Sequence, residues 1–385
     1  MSQVGIGTVL AGTDGGSTMR RLTVALMPAL TLACALPYGA TAQVCDTNCI
    51  VRPSPSPPPP NEPPGFVNNS VNAGLFDLGS SFLWKQVNGG GTTSTGNQSA
   101  GGGASPNDQV QQRFRTWGEG YGIWAKTNDF SGIVGDTRRT GGVVGGIGFV
   151  VAPGINVGFA VDQSWTKVNV NALPQSARYG LTQLGANSQM SLGQFTLGLA
   201  AVYGFADVDT SRDTIPPTSP TVASYGAKVW AALAELGYFV PLGNARIVPK
   251  VAIDWIRVSA DGFTEVGGFD PATVAAQTSD RVRGYAGFEV GQTWVADTTL
   301  FDLSAYARFV DILSESGFAI LVTSAATPGV SQAVQGATEG HYGVDAGASV
   351  SVRVSQTLRI YANYDTRLRD HYQAQIGTLG VEVKW

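Results

Sequence analysis

Charge is scarce in this sequence. Only 14% of its 385 residues are Asp, Glu, Lys or Arg, and the formal net charge is −4. A nucleic-acid binder concentrates basic residues on one face, so that class is excluded. Past Leu36 no apolar run is long enough for a helical membrane span. The only histidines are His341 and His371, and the only cysteines Cys34, Cys45 and Cys49, so a zinc-type site lacks ligands. Glycine is abundant at 50 residues, alongside 9% aromatics. Many glycines, scattered aromatics and few charges suit short strands that face lipid on one side.

Residues 1–18 are polar and read as a start assigned too early. Residues 19–42 have the form of a signal peptide: Arg20 and Arg21, an apolar core from Leu22 to Leu36, then Ala40-Thr41-Ala42. Cleavage is expected between Ala42 and Gln43, and Cys34 leaves with the signal. In an exported chain Cys45 and Cys49 are expected to form a small disulfide loop, with free thiols or a metal as the alternatives. Residues 43–65 form a Pro-rich arm, whose Pro53–Pro64 tract is a semi-rigid spacer. In residues 66–88, Val71, Leu75, Leu78, Phe82 and Leu83 recur at steps of three and four. That spacing predicts a helix, weakened by Gly74 and Gly79. Residues 89–112 are a Gly/Ser-rich linker.

From residue 113 to 385 the pattern is a single series. Leu379, Val381, Val383 and Trp385 alternate with Gly380, Glu382 and Lys384, which puts the apolar set on one face of a strand. Phe301–Phe309, Val344–Val352 and Leu358–Leu368 alternate in the same way. The candidate strands are 115–126, 138–152, 154–168, 179–191, 193–208, 223–240, 246–260, 280–296, 299–313, 341–354, 357–369 and 374–385. A soluble sandwich shows the same alternation, but the connections distinguish the two. Tight turns at 152–154, 192, 241–243, 297–298 and 355–356 alternate with longer polar loops at 127–137, 169–178, 209–222, 261–279 and 314–340. Short turns at one end and long loops at the other describe a membrane barrel. The fold class is therefore all-β: a 12-stranded antiparallel transmembrane barrel of the outer membrane.

The stretch from Arg113 to Trp385 resembles the translocator domain of autotransporters, the type V secretion proteins. Arg115-Thr116-Trp117-Gly118-Glu119-Gly120-Tyr121-Gly122 is similar to that domain's entry strand. Asp261-Gly262-Phe263-Thr264-Glu265 is similar to the segment after its seventh strand, and Leu379–Trp385 to its last. The resemblance implies a helix inside the pore, leading to an exported passenger. It also implies a Gram-negative outer membrane, lipid around the wall, periplasmic chaperones, and a C-terminal strand (Leu379, Val381, Val383, Trp385) read by the barrel-assembly machinery. The sequence departs from the family in carrying only about seventy Pro- and Gly-rich residues between signal and barrel, without repeats. The expected function is to anchor and translocate or display that short segment; a porin-like small-solute channel or a structural outer-membrane protein is the alternative.

No enzyme and no cofactor is expected. Asn68-Asn69 resembles the pair at which some autotransporters cut themselves, which would require a lumenal carboxylate such as Asp254, Glu235 or Glu289. Lys250, Asp254, Arg281, Arg283, Glu289, Arg308, Asp345, Arg353, Arg359, Asp365 and Arg367 face the lumen by parity. Mixed signs favour mutual pairing over a selectivity set. His341 and His371 fall near the outer rim, beside Asp345 and Asp370. Gly141–Gly148 lacks the Lys and Ser/Thr of a phosphate loop and packs a strand.

Overall fold

The computed structural model describes residues 65–88, 114–130, 133–213, 219–296, 299–336 and 339–385. The signal, the Ala42–Gln43 cleavage point, the Cys45–Cys49 pair, the Pro-rich arm and the Gly/Ser-rich linker lie outside the described residues.

The period-two segments become twelve long antiparallel strands. They are β1 (Phe114–Thr127), β2 (Asp136–Ala152), β3 (Ile155–Val170), β4 (Gln175–Leu192), β5 (Phe195–Arg212) and β6 (Thr221–Tyr238). They continue as β7 (Ala245–Ala260), β8 (Gln277–Ala296), β9 (Thr299–Ser316), β10 (Tyr342–Arg353), β11 (Leu358–Arg369) and β12 (Tyr372–Lys384). Each pairs with the next, and β12 pairs with β1. The seam is sealed at its end, where Phe114 N donates to Trp385 O at 3.1 Å and Trp385 N donates back to Phe114 O at 3.0 Å. Closure leaves no unpaired edge, which is the condition for a sheet to sit in hydrocarbon.

Alternation sorts the side chains as the sequence implies. Phe159, Val161 and Trp165 of β3, and Leu379, Val381, Val383 and Trp385 at the end of the chain, point outward and are exposed. Outward aromatics pair near the short-turn end: Phe114 with Phe149 (5.4 Å), Phe195 with Tyr238 (4.8 Å) and Trp294 with Phe301 (5.7 Å). They form the aromatic girdle of a membrane barrel. Gly154 and Gly193 hold positive φ in two of the short turns, a conformation open to glycine without strain.

At the other end the strands run on past the expected ends. β3 continues to Val170, β5 to Arg212, and β8 begins at Gln277. Their outward residues there are polar (Lys167, Asn169, Asp207, Asp209), so hydrophobic alternation stops marking a strand that backbone pairing continues. Two of the expected loops are also partly ordered as sheet. Segments Phe263–Thr264, Ala272–Val274, Ala319–Ser324 and Ser331–Gln335 make a second, four-stranded sheet. It buries Ala272, Val274, Ile320, Val322 and Val334 against Phe66 and Phe263.

Inside the barrel lies helix α1 (Gly65–Asn88). Leu75, Phe76, Leu78, Phe82 and Leu83 are fully buried, and so are Ser80 and Gln86 on other faces. A helix buried on every side is enclosed, not docked on a surface. The wall thins to admit it: a Cβ at Gly185 would lie 3.0 Å from Phe82, and one at Gly198 would lie 2.6 Å from Val87.

Candidate functional site: a helix threaded through the lumen

The direction of α1 follows from what touches its two ends. At the first turn, Gly65 packs on Val334 of the second sheet, and Asn69 Nδ2 donates to Val334 O at 3.3 Å. At the last turn, Asn187 Nδ2 donates to Gln86 Oε1 at 2.8 Å, next to the tight β4–β5 turn. The helix therefore enters at the long-loop mouth and leaves at the short-turn mouth. At 24 residues it is about 36 Å long, enough to span the wall.

Its only two charged residues, Asp77 and Lys85, each meet the opposite charge on the wall. Asp77 lies 3.2 Å from Arg138 and 4.0 Å from Arg367, and Arg367 also donates to Ser81 Oγ at 2.9 Å. Lys85 pairs with Glu119 and sits 4.4 Å above the Tyr121 ring. Glu119 also accepts from Tyr361 at 3.1 Å. Buried ions need such partners, because burial without one is heavily unfavourable. Aromatic contacts add to these. Phe76 stacks on Phe318 at 5.5 Å, and Trp84 meets Tyr285 edge-on at 5.0 Å with Arg308 3.6 Å over its ring. A void lined by Ser81, Trp84, Lys85, Glu119, Asp365 and their neighbours measures about 60 Å³.

The expected lumenal charges are arranged mostly as pairs. Lys250 lies between Glu235 (3.4 Å) and Glu289 (3.3 Å). Asp254 accepts from Arg283 and Tyr285, both at 2.7 Å. Arg308 reaches Asp345 at 3.0 Å, and Arg369 reaches the same carboxylate at 2.7 Å. Arg281 reaches Glu315 at 3.4 Å and also pairs with Glu339. Arg359 holds Glu382 at 3.0 Å, and Asp365 accepts from Tyr306 at 2.7 Å. Arg353 stands apart, half-buried at the short-turn rim across from Arg359. Asp77, Lys85, Glu119 and Arg138 were absent from the sequence-derived set. Glu119 was findable, since it shares the buried parity of Trp117 and Tyr121 on β1.

Three other candidates are not brought together. Asp254, Glu235 and Glu289 cluster around the level of Trp84, each engaged by a cation. Trp84 is sixteen residues from Asn68, about 24 Å along the helix axis. Asn68 instead accepts from Tyr225 at 3.1 Å. His371 stacks on Phe130 at 4.0 Å beside Asp370 (3.2 Å), while His341 Nδ1 lies 3.4 Å from the Ile312 carbonyl. Asp345, expected beside His341, points into the lumen toward arginines. Within Gly141–Gly148, Gly142 and Gly146 lie beneath the rings of Tyr121 and Trp117. Among the described residues no group of three or more His, Cys, Asp or Glu side chains is arranged to hold a metal ion.

A closed twelve-stranded wall with a helix through it has a match in sequence as well. The family model described as the autotransporter beta-domain matches residues 116–365. The chain belongs to the autotransporter β-domain family. Among solved structures, the translocator domain of NalP from Neisseria meningitidis superposes with a TM-score of 0.64 at 15% identity, covering 82% of this chain and 99% of that one. The transport unit of AIDA-I from Escherichia coli gives 0.55 at 12% identity, covering 84% and 100%. The β domain of BrkA from Bordetella gives 0.52 at 14% identity, covering 71% and 100%. At these identities the likeness shows the fold alone. No curated protein matches the chain. An autotransporter barrel resides in the Gram-negative outer membrane with lipid against its wall, and such barrels are generally non-enzymatic. Short turns of an outer-membrane barrel face the periplasm and long loops the exterior.

Proposed function

We propose that this autotransporter barrel carries the segment preceding α1 across the outer membrane and holds it on display at the cell surface. The observation that carries this reading is the direction of α1, from the long-loop mouth to the short-turn mouth. A chain so threaded has its upstream residues outside. The paired charges of Asp77 and Lys85 support retention of the helix after passage. The Pro-rich arm of residues 43–65, with a Cys45–Cys49 disulfide formed after removal of the signal at Ala42–Gln43, is the displayed segment in this reading. The outward set Leu379, Val381, Val383 and Trp385 is assigned to recognition by the barrel-assembly machinery, with periplasmic chaperones escorting the unfolded chain.

The test is protease shaving of intact cells that carry an epitope tag just after Gln43. Loss of the tag from intact cells is the expected outcome. Survival of the tag until the outer membrane is permeabilised would put the arm in the periplasm and overturn the proposal.

A further inference from the structure

The outward face of the wall carries a row of cations at one place. Arg139 of β2 lies directly across from Lys167 of β3, and Lys167 directly across from Arg178 of β4. All three are exposed, while their chain neighbours Arg138, Thr166, Val168, Ala177 and Tyr179 are buried toward the lumen. Lys126 of β1 adds a fourth, two residues past Trp124, which is the partner of Arg139. Among the described residues no ion pair joins any of these four to an acid. The row ends at Asp209, across from Arg178, whose Oδ1 accepts from Ser224 at 2.6 Å. Like charges directly opposed on one face of a sheet destabilise it, and Asp209 faces only the Arg178 end, so Arg139 and Lys167 call for an anion from outside the protein.

Depth identifies that anion. Along β3 the outward residues run from Val157, beside the girdle residue Phe149, up to Lys167. Ten residues at ~3.3 Å make ~33 Å of strand, or ~25 Å of height after the usual tilt, which equals the apolar band of such a barrel. Directly below Lys167 stands Trp165, 59% exposed, flanked across both neighbouring strands by Gly141 and Gly180. Tryptophan marks the membrane–water interface. The cations one step above it are level with lipid headgroups, on the side where the long loops lie. Arg pairs with phosphate in bidentate fashion, and clustered basic residues at a membrane surface recruit anionic lipid.

We propose that Arg139, Lys167 and Arg178, with Lys126, bind the phosphates of an outer-leaflet glycolipid that carries two or more phosphate groups. The glycolipid neutralises a row that makes no ion pair among the described residues and faces an acid, Asp209, only at its Arg178 end, and it fixes the height of the barrel in the asymmetric membrane.

The test is native mass spectrometry of the detergent-purified full chain, titrated with bis-phosphorylated lipid A. The wild type should retain the lipid. The Arg139→Gln/Lys167→Gln/Arg178→Gln variant should bind it roughly hundredfold more weakly, with heat-modifiable gel mobility reporting that the barrel is still folded. Should that variant fail to fold, Lys167→Gln alone should weaken binding by about fivefold. Arg353→Gln, at the opposite rim, should leave binding unchanged. Equal binding by wild type and folded variant, or equal binding of dephosphorylated lipid A, would overturn the proposal. So would competition by inorganic phosphate at the same concentration, which would make this a free-anion site.

Discussion

Gly74 shows how the lumen changes what a residue does. In a solvent-exposed helix Gly→Ala stabilises by about 1 kcal/mol, and from sequence both Gly74 and Gly79 read as defects. Inside the barrel a Cβ at Gly74 would overlap the Tyr179 hydroxyl, and one at Gly79 would lie 3.0 Å from Val229. Gly74→Ala should therefore destabilise the folded protein in urea titrations from lipid vesicles, by about 1–3 kcal/mol, the usual cost of overpacking. Adding Tyr179→Phe removes the clashing oxygen and should return most of the loss. Gly74→Ala alone proving stabilising would show that the helix is not held against β4. The glycines were visible in the sequence, but their role was not. Tyr179 is about a hundred residues downstream, and only the strand register brings it over the helix. The same holds for Lys85 with Glu119. Each is plain as a lone charge in an apolar context, but pairing them requires knowing that the helix runs down the pore.

Elements were legible wherever hydrophobic alternation persisted. All twelve barrel strands were visible as period-two segments bounded by turn residues, because lipid on one side and a polar lumen on the other enforce the contrast. Above the bilayer both faces meet water, so β3, β5 and β8 ran past their expected ends and residues 261–279 and 314–340 passed for loops. The second sheet is short and depends on pairing between distant segments, which no local period reveals. Glu339, just before β10, ties this region to the wall through Arg281 and Arg369 (3.7 Å). Burial pushes its carboxyl up, but Arg281, Arg369, Arg283 and Arg138 together hold it below the usual glutamate range. A carboxylate depressed in the folded state stabilises at any pH above its unfolded value, near 4.3, and loses that contribution as pH falls through the folded value. Protection of the 317–341 connection from an acid-active protease should thus be full near neutrality and fall below about pH 4. Glu339→Gln should be less protected at neutral pH and should lack that acid step. An unchanged acid profile in Glu339→Gln would rule out Glu339 as the cause.

At the scale of the whole molecule, wall and plug are separable. The wall is closed by backbone pairing from β1 to β12 and back, and none of those hydrogen bonds involves α1. The helix contributes buried apolar surface (Leu75, Phe76, Phe82, Leu83) and the ion pairs of Asp77 and Lys85, and it occupies the bore. Removing residues 65–88 should therefore leave a chain that still assembles, as seen by heat-modifiable mobility, but with a lower unfolding temperature. A side-chain-bearing helix is about 10–12 Å across, so its loss should open a water-filled passage of about that width. In planar bilayers the intact chain should show little or no steady conductance, and the deleted chain clear steps. Selectivity between cations and anions should be weak. The deletion removes one charge of each sign, and the wall it leaves carries both signs: Arg138, Arg308 and Arg367 as well as Asp345, Glu119 and Asp162, a buried β3 carboxylate that accepts from Tyr121 and Gln183. Strong selectivity would mean that the lumenal pairs do not survive without the helix. Equal conductance before and after the deletion would mean that α1 does not seal the pore in the membrane, and a solute channel would then account for the barrel better than a display anchor.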